Sequence, residues 1–205
     1  MHQLINHPLI THKLSVLRDK ATSSSVFRNA MNELTELMVF EITRDIKLKP
    51  VKIETPVGIC STSELAEKLV FVPVLRAGMG MLESFLRLVP YASVGHIGLY
   101  RDHETLEPHT YYSNLPENIA GRQVVVLDPM LATGGSAVAA IKIIKQKGAK
   151  HIKLACIVAA PEGIEHLENE HPDVRIYIAS IDDKLNDIGY IVPGLGDAGD
   201  RYFGT

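Results

Sequence analysis

The spacing of hydrophobic positions changes near Leu69. Before it, "SSSVFRNAMNELTELMVFEITRDI" (23–46) carries Phe27, Met31, Leu34, Met38 and Ile42 at steps of three and four, which predicts an amphipathic helix opened by serine caps. Its apolar stripe is an ordinary core or dimer face. "PVKIETPVGICST" (50–62) then places Val51, Ile53, Val57 and Ile59 around Pro56, a hairpin-like alternation. From Leu69 onward the apolar residues fall in short continuous runs: 69–75, 93–100, 124–127, 152–159 and 174–180. Runs of that length without alternation suit strands covered on both faces. Between them lie helical windows: "GMGMLESFLRLV", "SAVAAIKIIKQKG" with Gly148 as a cap, and "PEGIEHLENEH" with Pro161 at a helix start.

Strands alternating with helices predict an α/β fold: an open, mainly parallel twisted sheet with helices on both faces. A helical N-terminal region and a projecting β-arm complete the expectation. The arm is "YRDHETLEPHTYYSNLPENIAGRQ" (100–123), too long and polar for a simple connection and therefore expected to be functional. A chain of 205 residues fits one domain. Within it, 1–60 reads as a helical and hairpin attachment, 69–180 as the core sheet and 188–205 as a Gly-rich tail.

Composition narrows the function classes. A formal net charge of -3, with no segment dense in Lys or Arg, gives no field for nucleic acid or an anionic membrane. The apolar runs are too short to span a bilayer, and "MHQLINHPLITHKLSV" lacks the layout of a secretory leader. Cys60 and Cys156 are too few for a disulfide framework or a zinc site, so a reducing cytoplasm is expected, with Cys156 a packed thiol. His103 and His109 lack metal-ligand spacing and read as solvated loop residues.

The chemistry concentrates at strand ends. "VVVLDPMLATGGSA" (124–137) drives a buried strand into Asp128 and then into Thr133, Gly134, Gly135 and Ser136 ahead of a helix. Ligands of open parallel sheets sit outside the strands' carboxyl ends. Small residues there let backbone N–H groups, two hydroxyls and a helix N-terminus converge on a phosphate. No Lys precedes the Ser, so this is not a Walker A loop, and the glycine spacing is not a dinucleotide fingerprint. By itself the segment is either a cradle for a ribose 5-phosphate, with Asp128 on the sugar hydroxyls, or a tight strand-to-helix turn. "VFVPVLRAGMGM" similarly sets Arg76, Ala77 and Gly78 past a second strand end, and Arg101 follows a third. From the residues alone, these arginines are either anion donors or simply solvated.

The stretch 124–137 resembles the phosphoribosyl diphosphate (PRPP) signature of the type I phosphoribosyltransferases. Pro129, where most relatives carry a second acid, matches the uracil branch of that family. "YIVPGLGDAGDRYFGT" (190–205) is similar to that branch's uracil-binding loop, and the likeness extends over essentially the whole chain. The resemblance implies transfer of a phosphoribosyl group from PRPP to uracil, giving UMP and diphosphate in pyrimidine salvage. It implies Mg2+ entering on PRPP without direct protein ligands. PRPP contacts fall on Arg76, Arg101, Asp128, Pro129, Met130, Leu131, Ala132, Thr133, Gly134, Gly135, Ser136 and Asp197. Uracil contacts fall on Ile191, Gly196, Asp197 and Ala198, and the catalytic group comprises Asp197, Asp128, Arg76 and Arg101. Asp197 is either a general base toward uracil N1, an orienter of the loop, or a holder of a Mg2+-bound water. A homodimer or larger homo-oligomer and a GTP effector are also implied, with no motif locating the latter. The competing reading is a regulator on the same scaffold that binds UMP or RNA, and the acidic balance counts against an RNA surface.

Overall fold

The computed structural model describes residues 1–101 and 108–205, and the side chains of Arg101 and Pro108 lie outside the described residues. The chain opens with β1 (His2–Leu4), α1 (Pro8–Arg18) and the long α2 (Ser24–Ile42). A hairpin, β2 (Leu48–Glu54) and β3 (Ile59–Leu65), follows. The core alternation then runs β4 (Leu69–Leu75), α3 (Met79–Leu88), β5 (Ser93–Val94), β6 (His96–Arg101), β7 (Pro108–Asn114), β8 (Gln123–Leu127), β9 (Met130–Leu131) and α4 (Gly135–Gln146). It continues through β10 (His151–Ala159), α5 (Pro161–Glu170), β11 (Arg175–Ile181), β12 (Lys184–Leu185), β13 (Ile191–Val192) and α6 (Ala198–Phe203).

Among the described residues one nine-stranded sheet dominates, in the order β1-β11-β10-β8-β4-β6-β7, with β5 beside β4 and β9 beside β10. Every pairing in it is parallel except β6 with β7. The alternation of side chains across the sheet builds two cores. Val70, Val72, Val124 and Val126 face α4 and α5, whereas Leu69, Phe71, Val125 and Leu127 face α1, α2 and α3. The expected α2 stripe is fully buried in this second layer, each of Phe27, Met31, Leu34, Met38 and Ile42 being at most 1% exposed. It is therefore an intrachain core face.

The crossover from β4 leads through α3 to β6, and the crossover from β8 leads through α4 to β10 on the opposite face. The two connections diverge from neighbouring strands, which leaves a crevice at the carboxyl ends of β4 and β8. Leu75 leads there into Arg76, and Leu127 into Asp128.

Several elements depart from the sequence reading. The run 93–100 is two strands interrupted at Gly95, and Met130–Leu131 forms a short strand beside β10 before the phosphate-type turn. Ser23 occupies the N-cap of α2, yet its hydroxyl makes no capping bond and meets Ser25 instead. β1 is too short for a periodic signal, whereas α1 carries one that the sequence reading did not use, Ile10, Leu14 and Leu17 at helical spacing and all buried. The segment expected to project returns as β7, an antiparallel edge strand, and its pairing with β6 runs through Leu99–Arg101, past the last β4 partner at Gly98. Its polar sequence fits that place, because an edge strand with exposed side chains gains nothing from apolar residues. Two antiparallel pairs among the described residues stand apart from the main sheet, the long β2–β3 hairpin and the short β12–β13 pair.

Candidate active site

Two adjoining cavities open at the β4–β8 crevice. The smaller, about 270 Å³, is lined by Arg76, Ala77, Leu99, Asp128, Asp197 and the turn 130–137. The larger of the two, about 650 Å³, is lined by Arg76, Ala77, Tyr100, Met130, Ala132, the segment 188–191 and the segment 196–199. Arg76, Ala77, Met130, Ala132 and Asp197 belong to both. A still larger groove of about 940 Å³ lies between the N-terminal segment and α2 and contains none of these residues. Chemistry, and not volume, therefore singles out the crevice.

The turn after β9 is built to leave donors open. Gly134 is the N-cap of α4 in the left-handed region, φ 82°, and no side chain caps the helix. The N–H groups of a helix's first turn have no intrahelical acceptors, and here Gly135, Ser136 and Ala137 of that turn line the small cavity. A Cβ at Gly134 would also come within 2.9 Å of the Gly163 carbonyl oxygen, so both conformation and space require glycine. His166, from α5, meets the Thr133 carbonyl oxygen at 2.8 Å through Nδ1 and fixes the turn from behind.

Asp128 sits at the floor. Its N–H donates to Ala155 O at 3.1 Å, and its Oδ1 accepts from the Met130 N–H at 3.3 Å. Burial drives its pKa from the usual 3.8 up to about 7; the Met130 N–H opposes this and the Asp197 carboxylate adds to it. Asp197 is the N-cap of α6, its Oδ1 accepting from the Asp200 N–H at 2.9 Å. Arg76 follows a cis Leu75–Arg76 peptide and donates through Nη2 to Asp200 Oδ1 at 2.8 Å, both side chains being exposed.

The structure thus brings Arg76, Asp128, Met130, Leu131, Ala132, Thr133, Gly134, Gly135, Ser136 and Asp197 to one cavity, and Ile191, Gly196, Asp197 and Ala198 to its neighbour. Pro129 lines neither: it is buried, and its carbonyl accepts from the N–H groups of Ile157 and Val158. Leu131 lines the small cavity while its side chain packs in the core at 2% exposure. Arg101 ends β6, its side chain outside the described residues, as are His103 and the 104–107 portion of the expected arm. His109 is exposed and stacks on Tyr100. Cys156 is fully buried, as expected of a packed thiol, and burial raises its pKa.

Sequence reasoning missed Tyr100, Tyr190, Asp200 and His166. Asp200 had a signal, a second carboxylate in the quoted tail. His166 had none, since it meets its partner across 33 positions.

Together, a parallel sheet with its crevice at a strand-order reversal, an uncapped helix over a hydroxyl-bearing turn and a carboxylate at the adjoining strand end fit a type I phosphoribosyltransferase. The purine phosphoribosyltransferase from Pyrococcus horikoshii shares this fold, with a TM-score of 0.51 at 16% identity over 75% of this chain and 84% of that one. Closer likenesses single out the base. A family model described as uracil phosphoribosyltransferase matches residues 4–205. The uracil phosphoribosyltransferase of Dictyoglomus turgidum is 60% identical over 98% of both chains, and that of Shouchella clausii 58% identical over 98% of this chain and 97% of the relative. The AQ2163 protein from Aquifex aeolicus superposes with a TM-score of 0.95 at 44% identity, covering 99% of this chain and 98% of that one. The chain belongs to the uracil phosphoribosyltransferase family. It converts uracil and PRPP to UMP and diphosphate, a reaction of pyrimidine salvage.

Proposed function

We propose that the two cavities divide the substrates between them: the small one holds the 5-phosphate and ribose of PRPP, and the larger one holds uracil. The observation that carries this reading is Asp197, which is common to both walls and so stands where the ribose C1 must meet the base. The open first-turn donors of α4, with Ser136 and Thr133, hold the 5-phosphate, and Asp128 holds ribose hydroxyls. As the C1–oxygen bond breaks, positive charge grows on the ribose and negative charge on the diphosphate. The carboxylate of Asp128 favours the first; Arg76 and Arg101 assist the second. Arg76 must exchange Asp200 for diphosphate, an exposed pair that costs little to break.

Mg2+ is carried on PRPP as part of the substrate, its charge offsetting that of the leaving diphosphate. Among the described residues no group of three or more His, Cys, Asp or Glu side chains could hold a metal. Substrate oxygens would supply its main ligands, and Asp128 and Asp197, which line the small cavity, would hold its waters.

Uracil lies against Ile191 and Tyr190, with main-chain groups around Gly196 and Ala198 reading its edge. Fixed N–H and C=O groups would be left unpaired by cytosine, whose donor and acceptor pattern is partly reversed. Asp197 assists removal of the N1 proton. Asp197→Asn tests this with α6 still capped, because Asn is as good an N-cap as Asp. A drop in kcat of about 10²-fold or more supports the role, whereas near-wild-type kcat at saturating substrate removes it.

The working unit is a homodimer or larger assembly. The β2–β3 hairpin supports this, since it is detached from the main sheet and exposes Leu48, Ile53, Val57 and Ile59, an arrangement poorly stable by itself in water. The cytoplasm is its compartment; no helix among the described residues is long and apolar enough to cross a membrane. Activation by GTP rests on family likeness alone, and UMP formation with and without GTP decides it.

A further inference from the structure

The segment between Ile191 and Asp197 has almost no secondary structure to hold it, yet it joins the two stretches, 188–191 and 196–199, that line the larger cavity. Its anchorage comes from the far end of α1. Arg18, the last residue of that helix, donates through Nη1 to Asp182 Oδ2 and to the Gly194 carbonyl oxygen, each at 2.7 Å. Through Nη2 it donates to Asp182 Oδ1 at 2.6 Å and to Ser180 Oγ at 3.1 Å. Asp182 in turn accepts from the Gly194 N–H at 2.8 Å and from Ser180 Oγ at 3.0 Å. One ion pair therefore clamps Gly194 at both its N–H and its C=O. The carboxylate is 2% exposed, and although burial alone would raise its pKa, the bonds from Arg18, Gly194 and Ser180 hold it below the usual range. It is ionised and fully engaged.

Gly194 suits the clamp because its φ of 62° and the Ile191 carbonyl oxygen, 2.2 Å from where a Cβ would lie, leave no room for a side chain. The next residue is held from the opposite direction. Arg201, in α6, donates to the carbonyl oxygens of Leu195, Leu17 and Asp19, and its guanidinium lies 4.5 Å over the Phe27 ring. Two of these acceptors are at the end of α1, where helix carbonyls lack intrahelical partners. Arg18 and Arg201 thus cross between the same two segments in opposite directions. Neither they nor Asp182 lines the cavity.

We propose that Arg18, Asp182 and Arg201 are positioning residues for base recognition: they fix the 194–195 main chain so that neighbouring Gly196 to Ala198 present their backbone groups to uracil at fixed places. This rests on the reading that segment 191–198 is the uracil side of the site. Discrimination between pyrimidines by backbone donors and acceptors depends on such rigidity, since a loop free to shift re-pairs its groups with the wrong base.

The test measures KM for uracil, KM for PRPP and the ratio of uracil to cytosine turnover in Arg18→Ala, Arg18→Lys, Arg201→Lys and Gly196→Ala. For Arg18→Ala, KM for uracil is expected to rise about tenfold or more and the uracil preference to fall, with KM for PRPP within about twofold of wild type. Arg18→Lys keeps the charge but not the fork, and is expected to fall between the two. Should Arg18→Ala not fold, the two lysine variants carry the same comparison at about threefold. Unchanged uracil KM, or equal rises for both substrates, overturns the proposal. Gly196→Ala separates the failures: if it raises uracil KM while the Arg18 variants do not, the positioning role alone is wrong. If Gly196→Ala leaves uracil KM unchanged, the uracil side itself has been misplaced.

Discussion

Replacing Asp128 by Asn should stabilise the protein at alkaline pH while removing its activity. The carboxyl is held at a pKa of about 7 against the usual 3.8 because it is buried beside Asp197. Below the unfolded value both states are protonated and the group is neutral in its effect. As pH rises from there toward 7, the unfolded chain ionises while the folded one does not, so folding stability falls; above 7 the loss is complete. From about pH 5 to pH 8.5 the folded protein crosses about two pH units of this gap, worth about 3 kcal/mol at 1.4 kcal/mol per unit. Solvent reaches part of the side chain, which lowers the expected figure to about 1.5–3 kcal/mol. Asn is close in shape to the protonated acid and has no charge to bury. Urea unfolding of both proteins at the two pH values, at one fixed protein concentration, gives the comparison. The variant should equal or modestly exceed wild type near pH 5 and exceed it by the further 1.5–3 kcal/mol near pH 8.5, with UMP synthesis lost. Parallel pH profiles for the two proteins would refute the claim that Asp128 is a strained, buried carboxylate.

Other consequences follow from individual contacts. Gly134→Ala forces a side chain into φ 82° and against the Gly163 carbonyl, and should cost about 1–3 kcal/mol in urea unfolding. Its KM for PRPP should rise with that loss, because the α4 donors move. Lys153 is 5% exposed in β10 and bonds Asp45 and the Ile42 carbonyl oxygen, so Asp45→Ala leaves a buried ammonium half-paired. About 2 kcal/mol of stability should be lost, with kcat unaffected. Asp200→Asn frees Arg76 from its exposed partner, and should change thermal stability by less than about 1 kcal/mol while altering KM for PRPP more than KM for uracil.

The core strands were legible because a strand covered on both faces must be apolar at nearly every position, as in Leu69–Leu75 and Val124–Leu127. α2 was legible from the opposite circumstance, a single buried stripe at helical spacing. Edge strands escape both rules: His2–Leu4 is three residues long, and β7 is exposed and polar. The phosphate turn announced itself through composition, since Asp128, Thr133, the two glycines and Ser136 lie within nine positions of chain. The partners that fix those groups did not. Arg76 meets Asp200 across 124 positions and Arg18 meets Asp182 across 164, and no local pattern encodes a pairing that exists only after the sheet has formed. Pro129 belongs to the motif yet lines neither cavity, and its carbonyl accepts from two N–H groups of β10, a bond no local pattern encodes.

The most direct test of the division into two cavities is a crossed measurement of diphosphate release from Mg-PRPP, comparing Ser136→Ala and Gly196→Ala with uracil and with cytosine. Loss of a hydroxyl donor to a charged phosphate is worth about 1.5–3 kcal/mol, so Ser136→Ala should raise KM for PRPP about 10- to 150-fold and leave KM for uracil nearly unchanged. Gly196→Ala should show the reverse pattern, with uracil preferred over cytosine by a smaller margin than in wild type. If either variant raises both constants together, or if the two exchange patterns, the cavities do not divide the substrates in the way described.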